Sequence, residues 1–482
     1  MKVLKNLVAV VLVTILVFAL CAPAFAATPH TYVAYQIFSG TQSTGDDTGK
    51  LGDIEWGEDI GFTKLLTALK SAGADFDECV SAQDVARVLA TYGEDSREAR
   101  NFAKIAYSYV TGGTPVASGD VLPAGYYLII DTTKFPADET DTVYNLALLQ
   151  LTQKGALDIN EKYTVPTVEK KVLEDSNNEW QDAADYNIGE AVPFRLTAKV
   201  GDIRDYDTYK LTFYDTLSKG LSYNTESISV TMDGEELAIN EDYFLSIVGD
   251  KLTVTLNNII ALGAEVDNTF VVNYTATLNS EAVLGNKGNP NDVYLQYSNN
   301  PNVSTSTGKT PTQEVKVYTY GVDLNKVTDL NGKTIPLAGA EFELFAADDL
   351  TNSLGKKMVA PVTKDGEIVS YTASFDGLDA GSYVLKETTT PDGYNSIKED
   401  ITFTIVSGFD GTELDTFTVS GNTSFSAEPV TGRVATDVVN LAGVTLPETG
   451  GIGTTIFYVL GAALLTFSVV MFVTKKRVGA EG

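Results

Sequence analysis

Leu211-Thr212-Phe213-Tyr214-Asp215-Thr216-Leu217 alternates, with a single carboxylate, Asp215, on the face of Leu211, Phe213 and Leu217. Side chains along a strand point to opposite faces in turn, so this stretch reads as a strand with an acid aimed at a core. Short strands of the same texture, rich in Val, Thr, Tyr and Phe, recur from about Val165 between Gly, Asn and Asp turns. That pattern marks β-sandwich domains. A change of texture near Tyr318 to Gly321 separates a middle domain, residues 163–318, from a smaller third one, residues 319–445.

Upstream, residues 27–162 read differently. Phe62, Leu65, Leu66 and Leu69 recur at helical spacing, and Asp95 with Glu98 looks like a helix start before Ala99, Phe102, Ala103 and Ala106. Strand-like runs flank them at Thr31 to Phe38, Tyr126 to Ile130 and Val143 to Leu151. The expected fold class is mainly β: tandem immunoglobulin-like β-sandwiches, with a helical insertion in the N-terminal one.

The same parity argument aims further polar groups inward. Lys170 shares a face with Val168 and Val172, while Asn299 shares one with Val293, Leu295 and Tyr297. Lys171, of opposite parity, should face solvent. In the third domain Lys326 goes with Val322 and Leu324, Glu387 with Tyr383 and Leu385, and Asn440 with Val434 and Val438. A buried unpaired ammonium or carboxylate is costly, so each demands a partner. A buried lysine–acid salt bridge is one answer, and two ordered sets of lysine, acid and asparagine suggest another.

Both ends carry targeting signals. Lys2 and Lys5, an apolar run from Leu7 to Leu20 and Ala24-Phe25-Ala26 form a secretory signal peptide, residues 1–26. In residues 446–482, Leu446-Pro447-Glu448-Thr449-Gly450 precedes an apolar stretch from Ile452 to Val473 and then Lys475-Lys476-Arg477. The stretch is long enough to cross a bilayer as a transmembrane helix in the precursor, with the basic tail held inside.

The pentapeptide resembles the LPxTG sorting signal, which sortases cleave between Thr and Gly before passing the Thr carbonyl to an amine. Gly321 to Lys326, Leu337 to Phe342 and Tyr383 to Glu387 resemble a Cna-protein B-type domain with its pilin E-box. Pro166 to Val172, Phe213 to Leu217 and Tyr297 to Pro301 are similar to the isopeptide-forming domain of fimbrial backbone subunits. The resemblance implies a Gram-positive, sortase-assembled pilin, extracellular and linked to the cell wall. It implies internal bonds from Lys170 to Asn299, assisted by Asp215, and from Lys326 to Asn440, assisted by Glu387. It implies as partners sortase, further copies of the chain, minor pilins and peptidoglycan. A linking lysine is expected where the first and middle domains join, which points to Lys162, with Lys154 as the alternative. A singly anchored adhesin or minor pilin with the same domains is the other reading.

Composition bounds the rest. The net charge of -30 and a pI near 4.3 exclude a nucleic-acid partner, which requires a basic face. Acidic runs such as Asp138-Glu139-Thr140-Asp141 lack the ligand spacing of a calcium loop, so no metal or cofactor is expected. Of two cysteines, Cys21 leaves with the signal peptide, so Cys79 has no partner for a disulfide. His30 and Cys79 accompany no hydrolase, phosphate or zinc motif, and no enzyme is expected beyond self-catalysed bond formation.

Overall fold

The computed structural model describes residues 28–42, 50–93, 96–152, 156–159, 164–443 and 452–478. Two compact units result, one formed mainly by the chain up to Tyr318 and the other mainly by the chain from Thr319.

The first unit begins with a five-stranded sheet. Strands β1 (Tyr32–Gln42), β2 (Leu51–Trp56), β4 (Gly125–Asp131) and β5 (Leu148–Thr152) run in the order β2-β1-β4-β5, and β3 (Thr114–Val116) pairs with β1. Between β2 and β3 the chain forms α1 (Phe62–Ala72), α2 (Ala82–Leu89) and α3 (Arg97–Tyr107). Leu65 and Leu69 of α1, with Phe102, Ala103 and Ala106 of α3, are buried against Ile37, Phe38 and Leu128 of the sheet. Among the described residues this domain has one sheet, and the expected helical insertion covers one of its faces. Helix α2 was not foreseen; its start is set by a capping box between Ser81 and Asp84. Helix α3 starts at Ser96, whose hydroxyl accepts from Ala99 N, while Asp95 lies outside the described residues.

The expected strand from Val143 to Leu151 is shortened to Leu148–Thr152. The cause is competition for its backbone: Tyr144 N donates to Asn299 O at 2.7 Å and Asn145 N to Asp131 Oδ2 at 2.9 Å. Those groups are satisfied without a ladder.

Downstream in the same unit, two seven-stranded sheets face each other. One contains β6 (Thr167–Glu174), Ala191–Lys199 and Thr269–Leu278; the other contains Lys251–Leu256, Leu211–Leu217, Asn289–Ser298 and Gln313–Tyr318. Alternate residues from both faces, including Phe194, Leu196, Phe213, Val254, Val272 and Leu295, fill the space between them. Full burial of each such side chain contributes about 1.5–3 kcal/mol. Gly220 packs so tightly on Asn289 that a Cβ would come within 2.2 Å of Asn289 Oδ1, which fixes the start of strand Asn289–Ser298.

The second unit is also a two-sheet sandwich. Its first and last strands, Tyr320–Leu330 and Arg433–Val439, are parallel neighbours with Lys326 opposite Val438. Glu341–Ala346 and Gly381–Thr389 pair in the facing sheet. The helix Ile452–Val478 contains an apolar span, Thr455–Lys475, of membrane-crossing length.

Candidate cross-linking sites

In the first unit, β6 carries Lys170 with its side chain wholly buried, as is that of Asp215 on strand Leu211–Leu217 in the facing sheet. The Lys170 amine donates to Asp215 Oδ2, to Asn291 Oδ1 at 2.6 Å and to the Tyr274 hydroxyl at 3.3 Å. Phe194 and Tyr274 present ring faces to it at 5.8 and 5.9 Å. Burial pushes the Lys170 amine below its ordinary range, against the pull of Asp215. Lys171 turns outward and pairs with Asp182 at 2.8 Å, as its parity predicts.

The asparagine beside Lys170 is therefore Asn291, and the expected Asn299 is elsewhere. Asn299 bonds Thr142 Oγ1 at 3.1 Å and Ser306 Oγ at 2.7 Å, where the middle domain meets the N-terminal one. Both asparagines have the inward parity of Val293 and Leu295. The strands are antiparallel, however, with Asp215 opposite Val293, Leu217 opposite Asn291 and Leu211 opposite Tyr297. The late residue Asp215 is thus brought to the early part of the next strand, and Asn299 lies past the far end. Asn289-Pro290-Asn291 at the start of that strand was the signal available in the sequence.

Two tyrosines complete this site and were not anticipated. Tyr223 and Tyr274 donate their hydroxyls to Asp215 Oδ1 at 2.7 and 2.9 Å, and Tyr274 accepts from Asn291 Nδ2 at 2.8 Å.

In the second unit Lys326, Glu387 and Asn440 converge as their parity suggests. The buried Lys326 amine donates to Val438 O at 2.8 Å and to Asn440 Oδ1, and lies 3.9 Å from Glu387 Oε1. Asn440 Nδ2 donates to Glu387 Oε1 at 2.9 Å, and Ile397 N holds Oε2 at 3.0 Å. Burial pushes the Lys326 amine down to about 8, with Glu387 opposing. Each site thus sets a lysine nitrogen against an asparagine side-chain carbonyl in a buried core beside a carboxyl group. That is the geometry of attack on an amide carbon with proton transfer at hand.

Lys162 and Lys154 lie outside the described residues, as do the signal peptide and Leu446, Pro447, Glu448, Thr449 and Gly450. His30 has a partner that sequence reading did not supply: its Nδ1 lies 2.6 Å from Asp131 Oδ2. Cys79 is buried.

Residues 188–301 match the family described as Gram-positive pilin backbone subunit 2, Cna-B-like domain. Residues 321–416 match a prealbumin-like fold domain, and residues 442–478 match the LPXTG cell wall anchor motif. The chain is a Gram-positive backbone pilin. Its anchor motif and C-terminal apolar helix make it a surface protein of the cell wall. The pilin is 25% identical over 390 residues to the trypsin-resistant surface T6 protein of Streptococcus pyogenes serotype M6, covering 66% of this chain and 70% of that one. The solved T6 backbone pilin of serotype M6 Streptococcus pyogenes, described as a modular three-domain structure, shares the fold with a TM-score of 0.56 and 17% identity. That match covers 87% of this chain and 98% of the other. A C-terminal fragment of the major pilin of Streptococcus agalactiae matches 50% of this chain and 90% of its own, at 24% identity and a TM-score of 0.37.

Proposed function

We propose that this pilin is the repeating shaft subunit of a covalent pilus, joined between copies by sortase and within each copy by two lysine–asparagine isopeptide bonds. The internal bonds run from Lys170 to Asn291 with Asp215, and from Lys326 to Asn440 with Glu387. In each, the neutral lysine nitrogen attacks the asparagine Cγ, the Cγ–Nδ2 bond breaks, and the nitrogen leaves as ammonia. The observation that carries the reading is the convergence of lysine, asparagine and acid in two separate buried cores. Left as ions, such groups add little net stability, since desolvation offsets their attraction. Conversion to a neutral amide removes the buried charge. The relative's name describes resistance to trypsin, a property that internal cross-links would confer.

Between subunits, sortase cleaves after Thr449 and transfers its carbonyl to the Lys162 amine of another copy; minor pilins join the shaft, and its base passes to peptidoglycan. Lys170 and Lys326 are too buried to serve as acceptors. Donor and acceptor are different segments, so the contact is heterologous and builds an open filament. Two measurements test this. Intact mass of the mature chain should fall short by two ammonia molecules. Lys162→Ala should abolish the denaturant-resistant ladder of wall extracts while leaving both internal bonds, and Thr449→Ala should remove the donor end. A ladder that survives Lys162→Ala would transfer the role to Lys154. Loss of the ladder with no single lysine mutant would favour a singly anchored adhesin.

A further inference from the structure

The two carboxyl groups are placed differently. In the second unit Glu387 accepts directly from Asn440 Nδ2, so the acid touches the nitrogen that must leave. In the first, Asp215 contacts the attacking amine, and no hydrogen bond joins it to Asn291 among the described residues. Tyr274 fills that gap. Its hydroxyl lies 2.8 Å from Asn291 Nδ2 and 2.9 Å from Asp215 Oδ1, and its ring is stacked on Phe194 at 5.3 Å in a fully buried position.

We propose that Tyr274 is a catalytic residue of cross-linking in the middle domain, carrying a proton from Asp215 to the departing nitrogen of Asn291. This rests on the Lys170–Asn291 bond proposed above. The Lys170 ammonium first gives a proton to Asp215 Oδ2. Its lone pair then forms the Nζ–Cγ bond, and the carbonyl electron pair moves to Oδ1. In this tetrahedral species Nδ2 is no longer conjugated, so its lone pair becomes basic and can accept the Tyr274 proton. The Asp215 carboxyl turns about Cβ–Cγ, carrying its proton to Tyr274 to refill the phenol, and the carboxylate so formed takes the second Nζ proton on the oxygen that then faces the amine. Collapse restores the carbonyl, breaks Cγ–Nδ2 and releases ammonia, which removes the remaining proton as ammonium. Burial beside Asp215 raises the Tyr274 phenol well above its ordinary range, so it begins the cycle protonated.

The test is an intact-mass time course of the freshly synthesised full chain, with peptide mapping to assign each ammonia loss to its domain. Tyr274→Phe should slow loss from the middle domain about a hundredfold, the scale of one general acid–base contribution, with the Lys326–Asn440 bond forming at the wild-type rate. Asp215→Ala run beside it separates the two ideas. If Asp215→Ala stops the middle-domain loss and Tyr274→Phe does not slow it, the relay is overturned and the bond stands. If the wild-type middle domain loses no ammonia, the bond itself falls. Should Tyr274→Phe fail to fold, fluorotyrosine at position 274 keeps ring and hydroxyl but changes the acidity; an altered rate supports the relay and an unaltered rate overturns it.

Discussion

Lys326 carries a pH signature that its bonded state should hide. Its amine is pushed down to about 8, and Glu387 hydrogen-bonds the amide, so the fraction of neutral nucleophile should follow solution pH. At pH 6 about one amine in a hundred is neutral, so ammonia loss from the last domain should quicken about tenfold per pH unit up to about 8 and then level off. An Asn291→Ala chain isolates this reaction for mass spectrometry, and a rate flat from pH 6 to 8 would count against it. At the other site the same scale decides between two asparagines. Asn291→Ala should abolish the middle-domain mass deficit, while Asn299→Ala should keep it and lose only about 1–2 kcal/mol from the bonds to Thr142 and Ser306. A deficit lost with Asn299 and kept without Asn291 would reverse the assignment.

Among the elements, the antiparallel pairing of Leu211–Leu217 with Asn289–Ser298 does most to build the middle site. It aligns Asp215 diagonally with Asn291 on one inner face, and β6 brings Lys170 from the facing sheet. The second unit reaches a similar chemistry by another route, with lysine on one of two parallel neighbouring strands, asparagine just past the end of the other and the acid opposite. In the N-terminal domain, helix α2 depends on its first turn: Ser81 Oγ accepts from Asp84 N, and Asp84 answers to Ser81 N at 3.0 Å. Ser81→Ala should therefore cost about 1 kcal/mol, read as a lower unfolding midpoint of that domain with both internal bonds intact.

For the whole molecule, the proposed bonds set which parts of the chain bear tension. Pulled between Lys162 and Thr449, the last domain passes load from Lys326 to Asn440 almost at once, and the sandwich between them is bypassed. In the middle domain load crosses from Lys170 to Asn291 but must then follow the chain to Tyr318, including strand Gln313–Tyr318. That segment can lengthen by at most roughly 90 Å when fully extended. In single-molecule pulling the wild-type middle domain should give steps no longer than this, whereas Asn291→Ala should release on the order of 500 Å. A long step in the wild-type chain would show that the bond does not bear load there.

The sequence by itself determined the C-terminal cell wall anchor, the change from mixed to β texture, and the inward face of Lys170, Asp215, Lys326, Glu387 and Asn440. Each of those follows from local rules: hydrophobic run length, charge flanks and the two-residue period of a strand. The helices around Leu65 and Phe102 were legible for the same reason. What only the tertiary structure decided is which inward residues meet. Parity assigns Asn291 and Asn299 to one face equally, and register between strands far apart in the chain chooses between them. Tyr223 and Tyr274 were invisible as site residues, because an inward tyrosine reads as core until an acid in the facing sheet accepts its hydroxyl. The helical second layer over β1 and β4, and the loop from Thr142 to Ala147, likewise arose from long-range partners that no window of sequence contains.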